Sequence, residues 1–244
     1  MVYVYGITAA SGASDGAGRG LDGRPLEVCA AGTIAAVYTR HEAKAAPPPT
    51  TENAWRHGQV VESLMRGGAV LPARFGTTFA DDAALRAALA RHEGDLAAGL
   101  ERLRGCVELG VRVLWEPTPA PTPATSTQPA ANSGRAYMDA RLAEERRRRE
   151  ERQRAEARVE PIHAPLAALA VDSSRRVLTT PETLLVAAYL VPRERAGAFR
   201  DRVGELGPAF PDLRVVCTGP WPPYHFVPRL DGIQSGGAGE VGGG

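Results

Sequence analysis

The chain has 244 residues, 43% hydrophobic and 23% charged, which is the balance of a folded globular protein and not of a disordered or membrane-embedded one. With 29 basic and 28 acidic residues the formal net charge is +1, so no overall field draws the molecule to nucleic acid or to an acidic lipid surface. Cys29, Cys106 and Cys217 stand far apart with no CxxC or Cys/His cluster, which argues for a reducing, cytoplasmic setting, and the longest apolar run, Leu184 to Val191, falls far short of the ~18 residues of a spanning helix.

In chain order, Val2 to Ile7 is rich in Val and Tyr and predicts an opening strand, followed by a Gly-rich loop from Gly12 to Gly23. Strands are expected at Leu26 to Ala30 and Thr33 to Arg40. After three prolines, Thr51 can cap a helix whose apolar stripe is Trp55, Val60, Val61, Leu64 and Met65, ended by Gly67 and Gly68. A short strand at Ala69 to Pro72 precedes one helix from Asp81 or Asp82 to Leu103, with Leu85, Leu89, Leu96, Leu100 and Leu103 close to one face and Gly105 as its stop.

From Val107 the period becomes two: Val107, Leu109, Val111, Val113 and Trp115 share one face, with Glu108, Arg112 and Glu116 opposite. Residues 117–133 are Pro, Thr and Ala without apolar periodicity and predict a flexible connection. A long helix from about Gly134 to Val159, ended by Pro161, comes next, with a short helical piece through Leu166 and Leu169. Strands at Arg176 to Thr179 and Thr183 to Val191, a helix at Arg193 to Leu206 and a last strand at Leu213 to Thr218 complete the order β-α-β-β-α-β. That order is the split βαβ of ferredoxin-like folds, so the expected class is α+β with two domains: an N-terminal α+β domain over 1–105 and a ferredoxin-like domain over 106–228. Each sheet is expected to carry helices on one face, and the Gly-rich 229–244 to be a disordered tail.

No constellation of catalytic residues emerges. Gly18, Gly20 and Gly23 satisfy GxGxxG, but Pro25 and the strand-like LEVCA follow where a phosphate-binding helix would be needed. His41-Glu42 and His92-Glu93 lack the second histidine of a helical metal site, and His57 and Glu62 sit on different helix faces. Without a GxSxG turn, Ser/His/Asp chemistry has no support either. Catalytic residues, cofactor ligands and metal ligands are therefore none, and a role in binding is preferred to catalysis.

Two segments are candidate partner contacts. Arg141 to Arg158 holds eight arginines and five glutamates; Glu144/Arg148, Glu145/Arg149 and Glu150/Arg154 stand i,i+4, each pair worth roughly 0.2–0.5 kcal/mol to an exposed helix. A solvated charged helix is favoured there over a protein-docking surface through Arg148 and Arg149, and that over RNA contact. The tail GPWPPYHFVP, Gly219 to Pro228, concentrates Trp221, Tyr224, His225 and Phe226 among prolines that cannot donate ladder hydrogen bonds. It lies across a surface, either packing on its own domain or presenting Trp221, Tyr224 and Phe226 as anchors.

Five segments, YVYGI from Tyr3, VLPARFGTTF from Val70, VELGVRV from Val107, SGRAYMDARL from Ser133 and GPWPPYHFV from Gly219, resemble in order and spacing the gas vesicle GvpF/GvpL family over nearly the whole chain. The chain departs from the family in having Ala73 where a bulkier apolar residue is usual. The resemblance implies an accessory vesicle protein without catalytic residues, of two-domain α+β architecture. It also implies the vesicle shell protein and other accessory proteins as partners, without nucleic acid or lipid membrane, at the vesicle or in the cytoplasm. Two other classes stay open: an enzyme with a small-molecule site at the domain junction, and an RNA-binding module using the arginine run.

Overall fold

The computed structural model describes residues 1–12, 18–42, 46–115 and 134–228. The expected 117–133 connection and the 229–244 tail lie outside them. Contacts divide the chain into one unit of Met1–Glu108 with the stretch from Pro220 onward, and a second of Leu109–Gly219. Residues 220–228, placed by sequence with the second domain, thus group with the first unit.

The first unit opens with β1 (Val2–Ala9), β2 (Glu27–Ala31), β3 (Ile34–Arg40), α1 (Thr51–Gly67), β4 (Val70–Pro72), β5 (Thr78–Phe79), α2 (Asp82–Arg91) and α3 (Glu93–Leu103). Its sheet runs β2-β3-β1-β4, with β5 also pairing β1, and the pairs are antiparallel. Val2 to Thr8 of β1 and Ile34 to Thr39 of β3 are buried without a break. Successive strand residues point to opposite faces, so both faces of these strands are enclosed, not the single face expected. On the α1 side Tyr3, Tyr5, Leu21, Leu26, Val37, Val60 and Val61 form one cluster. Each large apolar side chain so enclosed contributes about 1.5–3 kcal/mol by leaving water.

Two local expectations change here. Gly18 to Pro25 is no open loop: an Arg19–Pro25 bridge closes a 3₁₀ turn, Leu21–Gly23, that drives Leu21 fully into the core. Gly20 is required by close approach, because a Cβ there would overlap the Tyr5 hydroxyl. The helix expected from Asp82 to Leu103 is two helices, broken at His92 (φ −113°, ψ 15°), with Asp81 capping the first by accepting from the Ala84 amide at 2.8 Å.

The second unit contains β6 (Cys106–Trp115, from Leu109), α4 (Gly134–Ala167), β7 (Asp172–Val177), β8 (Thr183–Pro192), α5 (Ala196–Leu206) and β9 (Leu213–Trp221, to Gly219). Its sheet order is β7-β8-β6-β9. Ala155, Val159, Ile162 and Leu166 form the buried stripe of α4, which meets β7, β8 and α5. Pro161 does not end this helix; it and Pro165 lie inside it. An interior proline costs about 3 kcal/mol, and burial of Ile162 and Leu166 in the same turns offsets it. β7 begins at Asp172 and not Arg176, a polar edge strand paired with β8 from Asp172/Leu190 to Val177/Leu185. β9 runs through Pro220 to Trp221, where sequence stopped it at Thr218; as an edge strand it has an outer side where a missing N–H breaks no ladder bond.

Candidate partner-binding site

A network of tyrosines and histidines underlies the first unit's surface. The Gly76 amide donates to the Tyr3 hydroxyl at 3.2 Å, Tyr3 donates to His57 Nδ1 at 2.9 Å, and His57 Nε2–H donates to the Ala73 carbonyl at 3.0 Å. Burial pulls the His57 pKa down to about 4, so the ring is neutral and its two nitrogens play these two different roles. Helix α1 is thereby fastened to the turn Ala73 to Thr77, in which Gly76 takes φ 88°, a left-handed value that favours glycine. Phe75 packs edge-on to both Tyr3 and His57, and Arg74 is exposed at the turn's tip.

Beside it, the Leu21 amide donates to the Tyr5 hydroxyl at 2.7 Å, which bonds Thr39 Oγ1 at 3.2 Å, itself 2.9 Å from His41 Nε2. Burial, then the Arg24 guanidinium, lowers the pKa of His41. The histidine-glutamate pairs noted in the sequence serve separate ends: His41 and His57 belong to this network, whereas Glu93 accepts from the Thr33 amide at 2.8 Å and holds the β2–β3 turn. Among the described residues no group of three or more His, Cys, Asp and Glu could hold a metal ion, and no helix is long and apolar enough to cross a membrane.

The tail residues divide. Phe226 is buried, and Tyr224 packs against the α1 cluster, its hydroxyl pushed up to about 12 by burial. Trp221 is 46% exposed. Glu108, expected on the open face of β6, is 5% exposed instead, because the tail covers it. Its carboxylate accepts from the His225 amide at 2.9 Å and from His225 Nδ1–H at 2.7 Å, pinning the segment that carries Tyr224 and Phe226. Nothing in the alternation of β6 signals this clamp. A second tryptophan escaped notice too: Trp55, placed on the apolar stripe of α1, is 61% exposed, with the Arg56 guanidinium 5.9 Å from its ring centre.

On α4, residues 137–154 are exposed apart from half-buried Glu144. Glu144 pairs with Arg147 and Arg148, Arg141 with Glu145, and Glu150 with Arg154. The expected Glu145/Arg149 pair is replaced by Glu145/Arg141. Among the described residues no ion pair engages Arg149, and Arg148 is 75% exposed despite its pair with Glu144.

Comparison with known proteins places this arrangement. The family model described as gas vesicle synthesis protein GvpL/GvpF matches residues 1–228. The chain is 33% identical to gas vesicle protein L of Streptomyces sp. (strain CB03234), over 70% of this chain and 67% of that protein. It is 30% identical to gas vesicle protein L2 of Halobacterium salinarum, over 93% of this chain and 91% of that protein. The crystal structure of the gas vesicle protein GvpF from Anabaena sp. PCC7120 superposes with a TM-score of 0.71 at 20% identity, covering 94% of this chain and 96% of that one, and so shares the fold.

Proposed function

The chain belongs to the gas vesicle synthesis protein GvpL/GvpF family, and from that premise we propose that it is a non-catalytic assembly factor that binds the vesicle shell protein and other accessory proteins during nucleation. The observation that carries this reading is the family match over residues 1–228. A small apolar shell protein must be kept from uncontrolled edge-to-edge association before it joins the wall, and an adaptor that covers its surfaces does so. The adaptor acts in the cytoplasm and at the growing vesicle. Trp221, exposed beside a pinned tail, is the aromatic anchor of its contact surface, with Tyr224 and Phe226 holding the segment in place. Arg148 and Arg149 contribute the polar contact. The second unit is read as ferredoxin-like, supported by the β-α-β-β-α-β order and the sheet order β7-β8-β6-β9.

Gene replacement in a vesicle-forming cell tests the reading. Deletion is expected to abolish mature vesicles; the wild-type gene restores them and Trp221→Ala restores fewer, at unchanged protein level. Normal vesicles in the deletion strain overturn it. Removing the whole tail is a poorer test, because Tyr224 and Phe226 belong to the fold.

A further inference from the structure

The exposed part of α4 distributes its side chains unevenly. At helical spacing, Tyr137, Arg141, Glu144, Arg148 and Arg152 lie along one stripe, and Met138, Leu142, Glu145 and Arg149 along the next. This face therefore carries three large apolar side chains at its N-terminal end, 59%, 54% and 47% exposed for Tyr137, Met138 and Leu142. Four arginines stand there against two glutamates, Glu144 and Glu145. The opposite face carries Asp139, Glu150 and Glu151 against Arg146, Arg147 and Arg154. Arg141 and Arg148 are each in an intrahelical ion pair, whereas among the described residues no ion pair engages Arg149 or Arg152.

We infer that this face of α4 docks a helix of another protein, one with apolar residues at one end and a row of carboxylates one turn apart behind them. Charge complementarity carries the inference: four guanidinium groups against two carboxylates, two of the four in no ion pair among the described residues, accompany an apolar anchor on a face about 24 Å long, between four and five helical turns. A second copy of this face is repelled by it. A nucleic acid gains nothing from Met138 and Leu142, and its phosphates meet the carboxylates of Glu144 and Glu145 on this same face. A membrane surface needs an apolar stripe along the whole helix, and here it occupies one end. The inference rests on the assembly reading and names the partner chemistry of its Arg148/Arg149 contact.

The test titrates the full chain with a fluorescent helical peptide of about 20 residues, bearing leucines at one end and glutamates along the same face. Saturable binding is expected. Arg149→Glu with Arg152→Glu, and separately Tyr137→Ala with Met138→Ala and Leu142→Ala, are each expected to weaken it about tenfold or more. Arg146→Glu with Arg147→Glu, on the other face, is expected to change it less than about twofold. Circular dichroism confirms that each variant is folded. No saturable binding, equal loss from the rear-face pair, self-association through α4, or displacement of the peptide by poly(U) RNA or phosphatidylglycerol vesicles would each overturn the inference. Shell protein recovered with the chain in the same strain despite such a result leaves the assembly reading standing and removes only this one.

Discussion

His57 uses its two ring nitrogens differently: Nδ1 accepts from Tyr3, which only the neutral ring can do, and Nε2–H donates to the Ala73 carbonyl. Its pKa falls from 6.5 to about 4 in the fold, so between these values the unfolded chain binds the extra proton. The stabilisation is complete above pH 6.5 and is lost as pH falls toward 4, and His41 and His163, both also lowered chiefly by burial, act in the same direction. Urea unfolding should show His57 alone removing roughly 2 kcal/mol of stability between about pH 7 and pH 5. His57→Phe should be less stable than wild type at neutral pH yet lose less on acidification; an unchanged pH profile would contradict the assignment. In the sequence His57 is set against Glu62, on a different helix face. Its partners, Tyr3 and Ala73, lie 54 and 16 residues away, a relation no local spacing reveals.

At the scale of elements, strong periodicity was legible: α1 lies where its stripe predicts, though its cap is Thr50, accepting from the Asn53 amide at 3.2 Å, and not Thr51, and β6 and β8 lie where alternation and the apolar run put them. What sequence missed are places where long-range packing outweighs local preference. Pro161 and Pro165 stay helical because Ile162 and Leu166 are buried, and Asp172–Val177 is a strand because β8 supplies backbone partners to a polar edge. The α2–α3 break at His92 has no Gly or Pro at the break itself to announce it. In the candidate site the aromatic tail was visible as a feature, while its division into anchored Tyr224 and Phe226 and exposed Trp221 depended on Glu108, which read as a solvent-facing strand residue. Glu108→Ala removes both bonds to His225 and should cost about 1–3 kcal/mol, with limited proteolysis cutting beside Tyr224 and Phe226 faster than in wild type. Unaltered cleavage there would show that the clamp does not hold the tail.

For the molecule as a whole, two buried polar groups fix surface segments in place: His57 the turn at Arg74, and Glu108 the tail at Trp221. In the proposed adaptor such rigid positioning would lower the ordering cost of each contact. The overall α+β class was readable from element order, and the family from five segments spread between Tyr3 and Val227, because those segments build the β1 strand, the Ala73–Thr77 turn, β6, α4 and the pinned tail. The most direct measurement is the amount of soluble shell protein recovered with the tagged chain when both are co-expressed. The account predicts a recoverable complex and more soluble shell protein than the shell gene gives alone, with both reduced by Trp221→Ala; an unchanged soluble yield with no complex would contradict it.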